Sequence, residues 1–276
     1  TRRIHWGQRG WRVKKGESIM MPVIAAKILA GFVVGVLIGM TGVGGGVLML
    51  PILIFGLGYS PLVAVGSDAL FQFFTKIPAG LLHLKNGTVR RKVVLALALG
   101  SIPGSFAGVK LLIYIRLLYG NGVNTFIKTA VGVLLIVIPT MLLLQKRIEE
   151  RIANRAPSMK GFAGMAIIGL TVGFVVGMTS VGSGSIIMML LLLFYSFPPK
   201  INVGTDVAHA VVLFGVTGLL QFKAGNVDSG LVASLLIGSI PGGLLGSHLA
   251  MRVPMLWLRR LLCALLLITG ARMLWA

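Results

Sequence analysis

Two aspartates in matching contexts are the residues of this sequence best suited to chemistry. Asp68 follows V-G-S and Asp206 follows V-G-T, and both precede long apolar stretches in a chain with only six acidic residues. An ionisable side chain inside an apolar segment is a functional candidate, because its burial is costly. Each could hold a proton or a cation. The alternative is that each carboxylate caps free backbone amides at a helix start.

Three further polar side chains follow these aspartates at helical spacing. Gln72 and Lys76 come four and eight residues after Asp68, on the same predicted helix face, and His209 comes three residues after Asp206. Lys76 could balance a bound anion; alternatively, it forms an ion pair or extends its amine toward an interface. Gln72, Lys76 and His209 are therefore candidate substrate ligands.

Two glycine-rich stretches offer a second kind of chemistry, through the backbone. Five glycines lie within Gly39–Gly46, and a related stretch spans Gly177–Gly184. Glycine costs a helix about 1 kcal/mol relative to alanine, so both stretches predict a break, whose free amides must line protein or a water-filled cavity. A helix that restarts after a break presents its positive end to an anion. The alternative is close packing through small residues, which suits Gly31, Gly35 and Gly39 at four-residue spacing.

The predicted anion site combines the backbone and hydroxyl groups of both breaks. Its members are Thr41, Gly42, Val43, Gly44, Gly45 and Gly46 in the first break, and Thr179, Ser180, Val181, Gly182, Ser183, Gly184 and Ser185 in the second. No Lys-Ser/Thr pair follows the glycines, which argues against a nucleotide-binding loop. The sequence has no H-E-x-x-H, no G-x-S-x-G and no His/Cys cluster, so we predict no catalytic residues, metal ligands or cofactor, and an enzyme is disfavoured.

The elements that position these residues are predicted to be membrane helices. The 276 residues are 56% hydrophobic and only 12% charged, against about 25% charged in soluble domains. Several nearly uncharged runs reach the ~20 residues that span a bilayer. The net charge of +20 comes from 26 Lys and Arg against 6 acidic residues, and flanking basic residues of this kind fit the positive-inside rule rather than nucleic-acid binding. We predict an all-α polytopic membrane protein.

The chain repeats itself with an offset of 138 residues, the distance from Asp68 to Asp206. The repeat predicts a basic N-terminal tail (1–19), a first membrane repeat (20–145), a charged linker (146–160) and a second membrane repeat (161–276). The tail is either native or an upstream extension of a protein that starts at Met20 or Met21. Duplicated halves around a central site are typical of secondary transporters.

The halves contain about five helices each if the short apolar stretch after each glycine break crosses the membrane, and the repeats are then inverted. If that stretch only continues the preceding helix, each half has four spans and the repeats are parallel. The loop 85–92 has four basic residues, whereas its equivalent, 223–230, has one basic residue and an aspartate. Opposite charge bias in equivalent loops favours inversion. The basic N-terminal tail argues against it, because inversion would place the tail outside.

The repeated motifs resemble those of the TauE/SafE family of sulfite or sulfonate exporters. The resemblance lies in G-M-T-G-V-G-G-G and G-M-T-S-V-G-S-G, in the V-G-S-D and V-G-T-D pair, and in the G-S-I-P-G that occurs twice. It implies an inner-membrane permease for small sulfur-containing anions such as sulfite, sulfoacetate or other sulfonates. It also implies that the glycine motifs lie at the site, although Ser180 and Ser183 stand where the first half has glycine.

These observations predict a secondary anion transporter that works by alternating access in the cell inner (plasma) membrane. The alternatives are an anion channel and a permease for a non-sulfur carboxylate. The expected partners are the small anion, the lipid bilayer and a coupling H⁺ or Na⁺, without nucleic acid. The sequence leaves the oligomeric state open, and a homodimer is one of the options.

Overall fold

The computed structural model describes residues 17–41, 45–152, 161–195, 198–249 and 255–275. In these ranges the backbone forms ten α-helices, a π-helical turn at Ile52–Gly56 that extends α2, and no strand. The helices are Glu17–Thr41 (α1), Gly45–Pro51 (α2), Pro61–Lys85 (α3), Arg91–Tyr119 (α4), Gly122–Ile152 (α5), Phe162–Thr179 (α6), Ser183–Phe194 (α7), Pro199–Lys223 (α8), Ser229–Leu249 (α9) and Met255–Trp275 (α10).

The described helices have the length and composition of membrane spans. Six of them, within α1, α4, α5, α6, α8 and α9, contain a window apolar and long enough to cross a bilayer, and α2 with its π turn is a shorter apolar helix. Their outer faces expose large apolar side chains such as Leu99, Leu117 and Ile240, which a soluble protein would bury. The all-helical, polytopic membrane architecture predicted from composition is confirmed.

The second glycine motif separates two helices, and the described parts of α1 and α2 lie on either side of the first. α1 ends at Thr41 and α2 begins at Gly45, while 42–44 lie outside the described residues. In the second half, α6 ends at Thr179 and α7 begins at Ser183. Between them, Ser180 has φ +57° and Gly182 has φ +99°. These left-handed conformations end the helix and redirect the chain, and Ser180 is the non-glycine residue that adopts one in the described chain.

Two parallel helix pairs are joined by closely packed glycines. On α1, a Cβ on Gly31 would overlap the Leu235 carbonyl of α9, and one on Gly35 would lie 2.5 Å from the Ser239 carbonyl oxygen. α4 and α6 pack in the same way: a Cβ on Gly100 would overlap the Ala166 carbonyl, and one on Gly104 the Leu170 carbonyl. Residue numbers rise together along both pairs, so each pair is parallel. Small residues every four positions let the backbones touch.

Two other pairs run antiparallel, and both join equivalent helices of the two halves. Along α3 and α8, Gly218 lies against Leu70 and Gly80 against Val211, so the numbers rise on one helix as they fall on the other. α5 and α10 pack in the same sense, with Gly132 against Met273.

The sequence halves interlock, because α1 packs on α9 of the second half and α4 packs on α6. One apolar cluster centres on α2, α3 and α5 and also takes residues from α9 and α10, such as Leu235 and Leu266. The other joins α3 and α4, through Ala69 and Leu97, to α6, α7 and α8. α5 continues to Ile152, so the predicted linker 146–160 begins as helix. The predicted tail 1–19 lies mostly outside the described residues.

Candidate functional site

The V-G-S-D and V-G-T-D motifs each lie two turns inside a helix. α3 begins at Pro61 and α8 at Pro199, so Asp68 and Asp206 are the eighth residues of their helices. Neither aspartate therefore caps the helix that carries it. Helix N-caps stand immediately before the first turn, and both carboxylates lie beyond it.

The glycine and hydroxyl of each motif hold a loop of the other half. In the first motif, Gly66 lies directly against the Asn226 carbonyl, and the Ser67 hydroxyl accepts a hydrogen bond from the Asp228 backbone N–H at 3.0 Å. In the second, the Thr205 hydroxyl accepts one from the Arg90 backbone N–H at 3.1 Å. The repeated motif thus holds the backbone at the start of α9 and of α4. These contacts set the position of the aspartate that ends each motif.

We expect Ser67→Ala and Thr205→Val each to lower the free energy of unfolding by about 1–3 kcal/mol, because each leaves a backbone N–H without its acceptor. Thermal unfolding of the detergent-purified protein measures the change. Ser234→Ala is the matched control, since the Ser234 hydroxyl bonds only a carbonyl of its own helix. A loss for Ser234→Ala as large as for the motif variants would contradict this role.

Asp228, at the start of α9, links the loop before α9 to the chain segment before α3. Its Oδ1 accepts a hydrogen bond from the Leu231 N–H at 2.9 Å, and its Oδ2 accepts one from the Tyr59 hydroxyl at 3.1 Å. Burial is the main cause that raises the pKa of Tyr59 above its usual 10.0. Tyr59 therefore keeps its proton and remains a donor to Asp228 at neutral pH.

Asp68 lies in a buried hydrogen-bond cluster to which both halves contribute. Its Oδ2 accepts hydrogen bonds from Gln72 Nε2 and from the Ser180 hydroxyl, both at 2.8 Å. Gln72 Nε2 also donates to the Ser180 carbonyl oxygen at 2.9 Å. A Cβ on Gly46 would lie 2.5 Å from both Gln72 Nε2 and the Ser180 carbonyl oxygen, and 2.7 Å from Asp68 Oδ2. The first glycine break therefore packs directly on this cluster.

Asp206, the equivalent carboxylate, has no such cluster. No hydrogen bond reaches it from the described residues, and its buried Oδ1 has no partner. The sequence explains the difference, because Ala210 and Gly42 stand at the positions equivalent to the two donors that serve Asp68. Asp206 Oδ2 faces the start of α7, where a Cβ on Gly184 would lie 3.3 Å away. The positive end of α7 favours the carboxylate there.

Lys76 on α3 lies beside its own counterpart in the repeat, Phe214 on α8. Lys76 Nζ lies 5.8 Å from the centroid of the Phe214 ring. Asp68 lies eight residues before Lys76, and Asp206 lies eight residues before Phe214, which is about 12 Å along each helix. Because α3 and α8 are antiparallel, the two aspartates lie in opposite directions from Lys76. The Lys76 ammonium interacts electrostatically with both Asp206 and Asp68.

His209 is completely buried on the side of α8 that faces α4. Its Nε2 lies 2.8 Å from the Ser101 hydroxyl. Its Nδ1 has no close hydrogen-bond partner, with the Leu97 carbonyl as the nearby polar group. His209 is therefore held beside α4 by the Ser101 hydroxyl.

The two glycine breaks meet at one crevice between the halves. It is too narrow to hold a water molecule. It is lined by Gly46, Val47, Gln72, Gly182, Ser183, Gly184 and Ser185. All of these except Val47 were predicted site residues, and they come from the first break, from α3 and from the second break.

The other predicted residues of the breaks lie around this crevice or outside the described chain. The Thr179 hydroxyl donates to the Val175 carbonyl at 2.7 Å and accepts from the Val181 N–H at 3.3 Å, so it shapes the break. Val181 is core, and Gly45 packs near Ile38. Thr41 ends α1, whereas the predicted residues Gly42, Val43 and Gly44 lie outside the described residues.

Sequence patterns missed several polar contacts that hold the site. Ser101, the partner of His209, lies in the repeated G-S-I-P-G, and its recurrence was the available signal. The Ser105 hydroxyl lies 2.7 Å from the Thr217 hydroxyl, and Gln221 Nε2 donates to the Gly177 carbonyl at 3.1 Å. No motif marked the last two contacts, which join α8 to α4 and α6.

Comparison with known proteins gives one consistent result. A family model described as "Sulfite exporter TauE/SafE" matches residues 27–273. The probable membrane transporter protein YjnA of Bacillus subtilis (strain 168) is 35% identical over 250 residues, which cover 89% of this chain and 98% of that protein. YunE, a probable membrane transporter of the same organism, is 28% identical over 242 residues, 80% of this chain and 86% of that protein.

A further relative is less similar in sequence. A probable membrane transporter protein of Methanocaldococcus jannaschii is 25% identical over 249 residues, 88% of this chain and 85% of that protein. No solved structure matches the chain. The family match, residues 27–273, includes both glycine motifs and both aspartates.

Proposed function

The chain belongs to the TauE/SafE family of membrane transporters, and on that premise we propose that it carries small sulfur-containing anions, such as sulfite, sulfoacetate or other sulfonates, by alternating access. It is a multi-pass membrane protein, and the cell inner (plasma) membrane is the proposed location. The proposal includes no chemical conversion of the substrate.

The observation that carries this proposal is the meeting of the two glycine breaks at one crevice. The start of α7 supplies backbone amides and a positive helix end, which favour an anion. Ser183 and Ser185 add hydroxyl groups from the same turn, and the backbone of Gly46 and Val47 lines the crevice from the first half. A sulfonate or sulfite has several oxygens that accept hydrogen bonds, and donors from both halves could be shared among them.

The helix directions support inverted repeats, which alternating access commonly uses. Equivalent helices α3 and α8 are antiparallel, as are α5 and α10, whereas α1 is parallel to α9 and α4 to α6. Successive membrane helices alternate in direction. If α2 and α7 are counted as membrane crossings, this alternation gives all four of these relations. With four spans in each half, α3 and α8 would instead be parallel.

The narrow crevice fits a conformation in which the site is closed. Because it admits no water molecule, an anion can reach it only if the helices around it separate. Two interlocked halves that rock about the α3–α8 contact would open it first to one side and then to the other. A permanently open channel is the second candidate and is less consistent with this closed geometry.

We expect liposomes that contain the purified protein to take up ³⁵S-labelled sulfite or sulfoacetate well above empty liposomes, because the crevice offers neutral donors and a helix positive end for an oxyanion. The measurement is a parallel uptake screen of sulfite, sulfoacetate, sulfate, thiosulfate and acetate. Uptake of acetate alone would favour the non-sulfur carboxylate permease. Absence of uptake for every sulfur anion would overturn the proposed substrate class.

A further inference from the structure

Four buried side-chain atoms of the described residues lack a hydrogen-bond partner, and three of them lie on α8. They are Asn202 Oδ1, Asp206 Oδ1 and His209 Nδ1; the fourth is Asp68 Oδ1. The three α8 residues are spaced by four and three positions, which places them on one helix face. All three are at least nine-tenths buried. Unpartnered buried polar atoms are costly, so a cluster of them points to a ligand.

The equivalent face of α3 has no such cluster. Ala64 and Phe71 stand at the positions equivalent to Asn202 and His209. Asp68, the one residue that the two faces share, already accepts hydrogen bonds at Oδ2 from Gln72 and Ser180. The polar face of α8 is therefore a feature of the second half alone, and symmetry of the fold does not account for it.

Asp206 is the carboxylate of this face that could hold a cation. Within the described helices, Lys76 is the charged group that acts on it electrostatically, and its buried Oδ1 has no hydrogen-bond partner. A buried carboxylate without a partner is strongly unfavourable, and a bound monovalent cation would supply one.

We infer that Asn202, Asp206 and the adjoining face of α8 form a Na⁺ site. An amide oxygen and a carboxylate oxygen one turn apart are hard ligands, which suit a cation of this type. No group of three or more His, Cys, Asp or Glu suited to a metal occurs in the described chain, which disfavours a transition metal. The site rests on the proposed transport function for its role: Na⁺ bound here would accompany the anion and supply the coupling ion.

The experiment is a Na⁺ titration of the purified protein without any anion substrate, monitored by thermal unfolding. Choline keeps the ionic strength constant, and K⁺ is the competing cation. We expect Na⁺ to raise the melting temperature saturably and above K⁺ in the wild type, because a cation that binds only the folded state stabilises it. Asn202→Ala and Asp206→Asn should each weaken apparent Na⁺ affinity at least about tenfold, through loss of an oxygen ligand or of the charge.

Asp228→Asn is the matched control, because it makes the same change outside the membrane helices and should leave the Na⁺ response intact. Asn202→Ala carries the test if Asp206→Asn fails to fold, since Ala64 shows that alanine fits this helix position. An unchanged Na⁺ response in Asn202→Ala would overturn the site. So would a wild type that responds to pH but not to Na⁺. Because no anion is present, either failure leaves the anion-uptake result as a separate test of the proposed function.

Discussion

We expect Gly46→Ala to reduce uptake of the transported anion more than about tenfold, while Gly184→Ala retains most of it. These two glycines occupy equivalent positions in the repeat, so the substitutions form a matched pair. A Cβ at Gly46 would lie 2.5 Å from Gln72 Nε2 and 2.7 Å from Asp68 Oδ2. At Gly184 the nearest atom, Asp206 Oδ2, is 3.3 Å away, a tight contact that a small shift can relieve.

The large effect of Gly46→Ala comes from the cluster it displaces. Gln72 and the Ser180 hydroxyl are the donors that satisfy Asp68 in the membrane interior. Separating them leaves a buried carboxylate with fewer partners, and a lost hydrogen bond to a charged group costs about 1.5–3 kcal/mol. Since every 1.4 kcal/mol is about tenfold in an equilibrium constant, the closed site becomes at least about tenfold less populated.

Initial uptake rates in liposomes, normalised to the amount of reconstituted protein, measure this difference. Size-exclusion profiles of both variants show whether each one folds. Equal uptake by the two alanine variants would contradict the asymmetric roles of the glycine breaks. If Gly46→Ala does not fold, Gln72→Ala should reduce uptake by removing the same donor without adding a Cβ to the break.

The second large effect is expected at the α4–α6 contact: Gly100→Ala should lower the free energy of unfolding by about 1–3 kcal/mol or more. A Cβ on Gly100 would overlap the Ala166 carbonyl and approach the Leu170 backbone nitrogen. Both contacts are backbone atoms, so no side chain can rotate to make room, and the two helices must separate. Their separation would also remove the close packing along the rest of the pair.

Chemical or thermal unfolding in detergent tests this prediction, with Gly56→Ala as the control. Gly56 lies in the π-helical turn, where the nearest atom to an added Cβ is an Ile52 side-chain carbon at 3.7 Å, an ordinary contact. We expect that control to stay within about 0.5 kcal/mol of wild type. A Gly100→Ala variant as stable as the Gly56→Ala control would contradict the close approach of α4 and α6.

The membrane fold and the helix break between α6 and α7 were predictable from local sequence, because hydropathy and glycine content act through short segments. Gly31 and Gly35 were predicted as packing residues, and both lie against α9. The partner helix was not predictable, since four-residue glycine spacing indicates a close contact without specifying what is contacted. Gly100, in the repeated G-S-I-P-G, is a contact of the same kind.

The candidate site was predictable as a set of residues but not as an arrangement. The repeat identified Asp68 and Asp206 as equivalent, and the structure gives them different surroundings. Asp68 bonds Ser180 from the other half, a contact that needs the tertiary fold. Asn202 was missed because a single asparagine near a helix start usually indicates a turn or cap. The structure distinguishes it, because its side chain is buried and its Oδ1 has no hydrogen-bond partner.

Counterflow tests the central claim, alternating-access transport of a sulfur-containing anion, most directly. Liposomes with the wild-type protein are loaded with unlabelled sulfite and diluted into a trace of ³⁵S-sulfite, with Gly46→Ala liposomes in parallel. Alternating access predicts transient accumulation of label above its equilibrium level, saturation with external sulfite, and loss of the accumulation in Gly46→Ala. Flux of label that never exceeds equilibrium and rises linearly with concentration would contradict the account and indicate a channel.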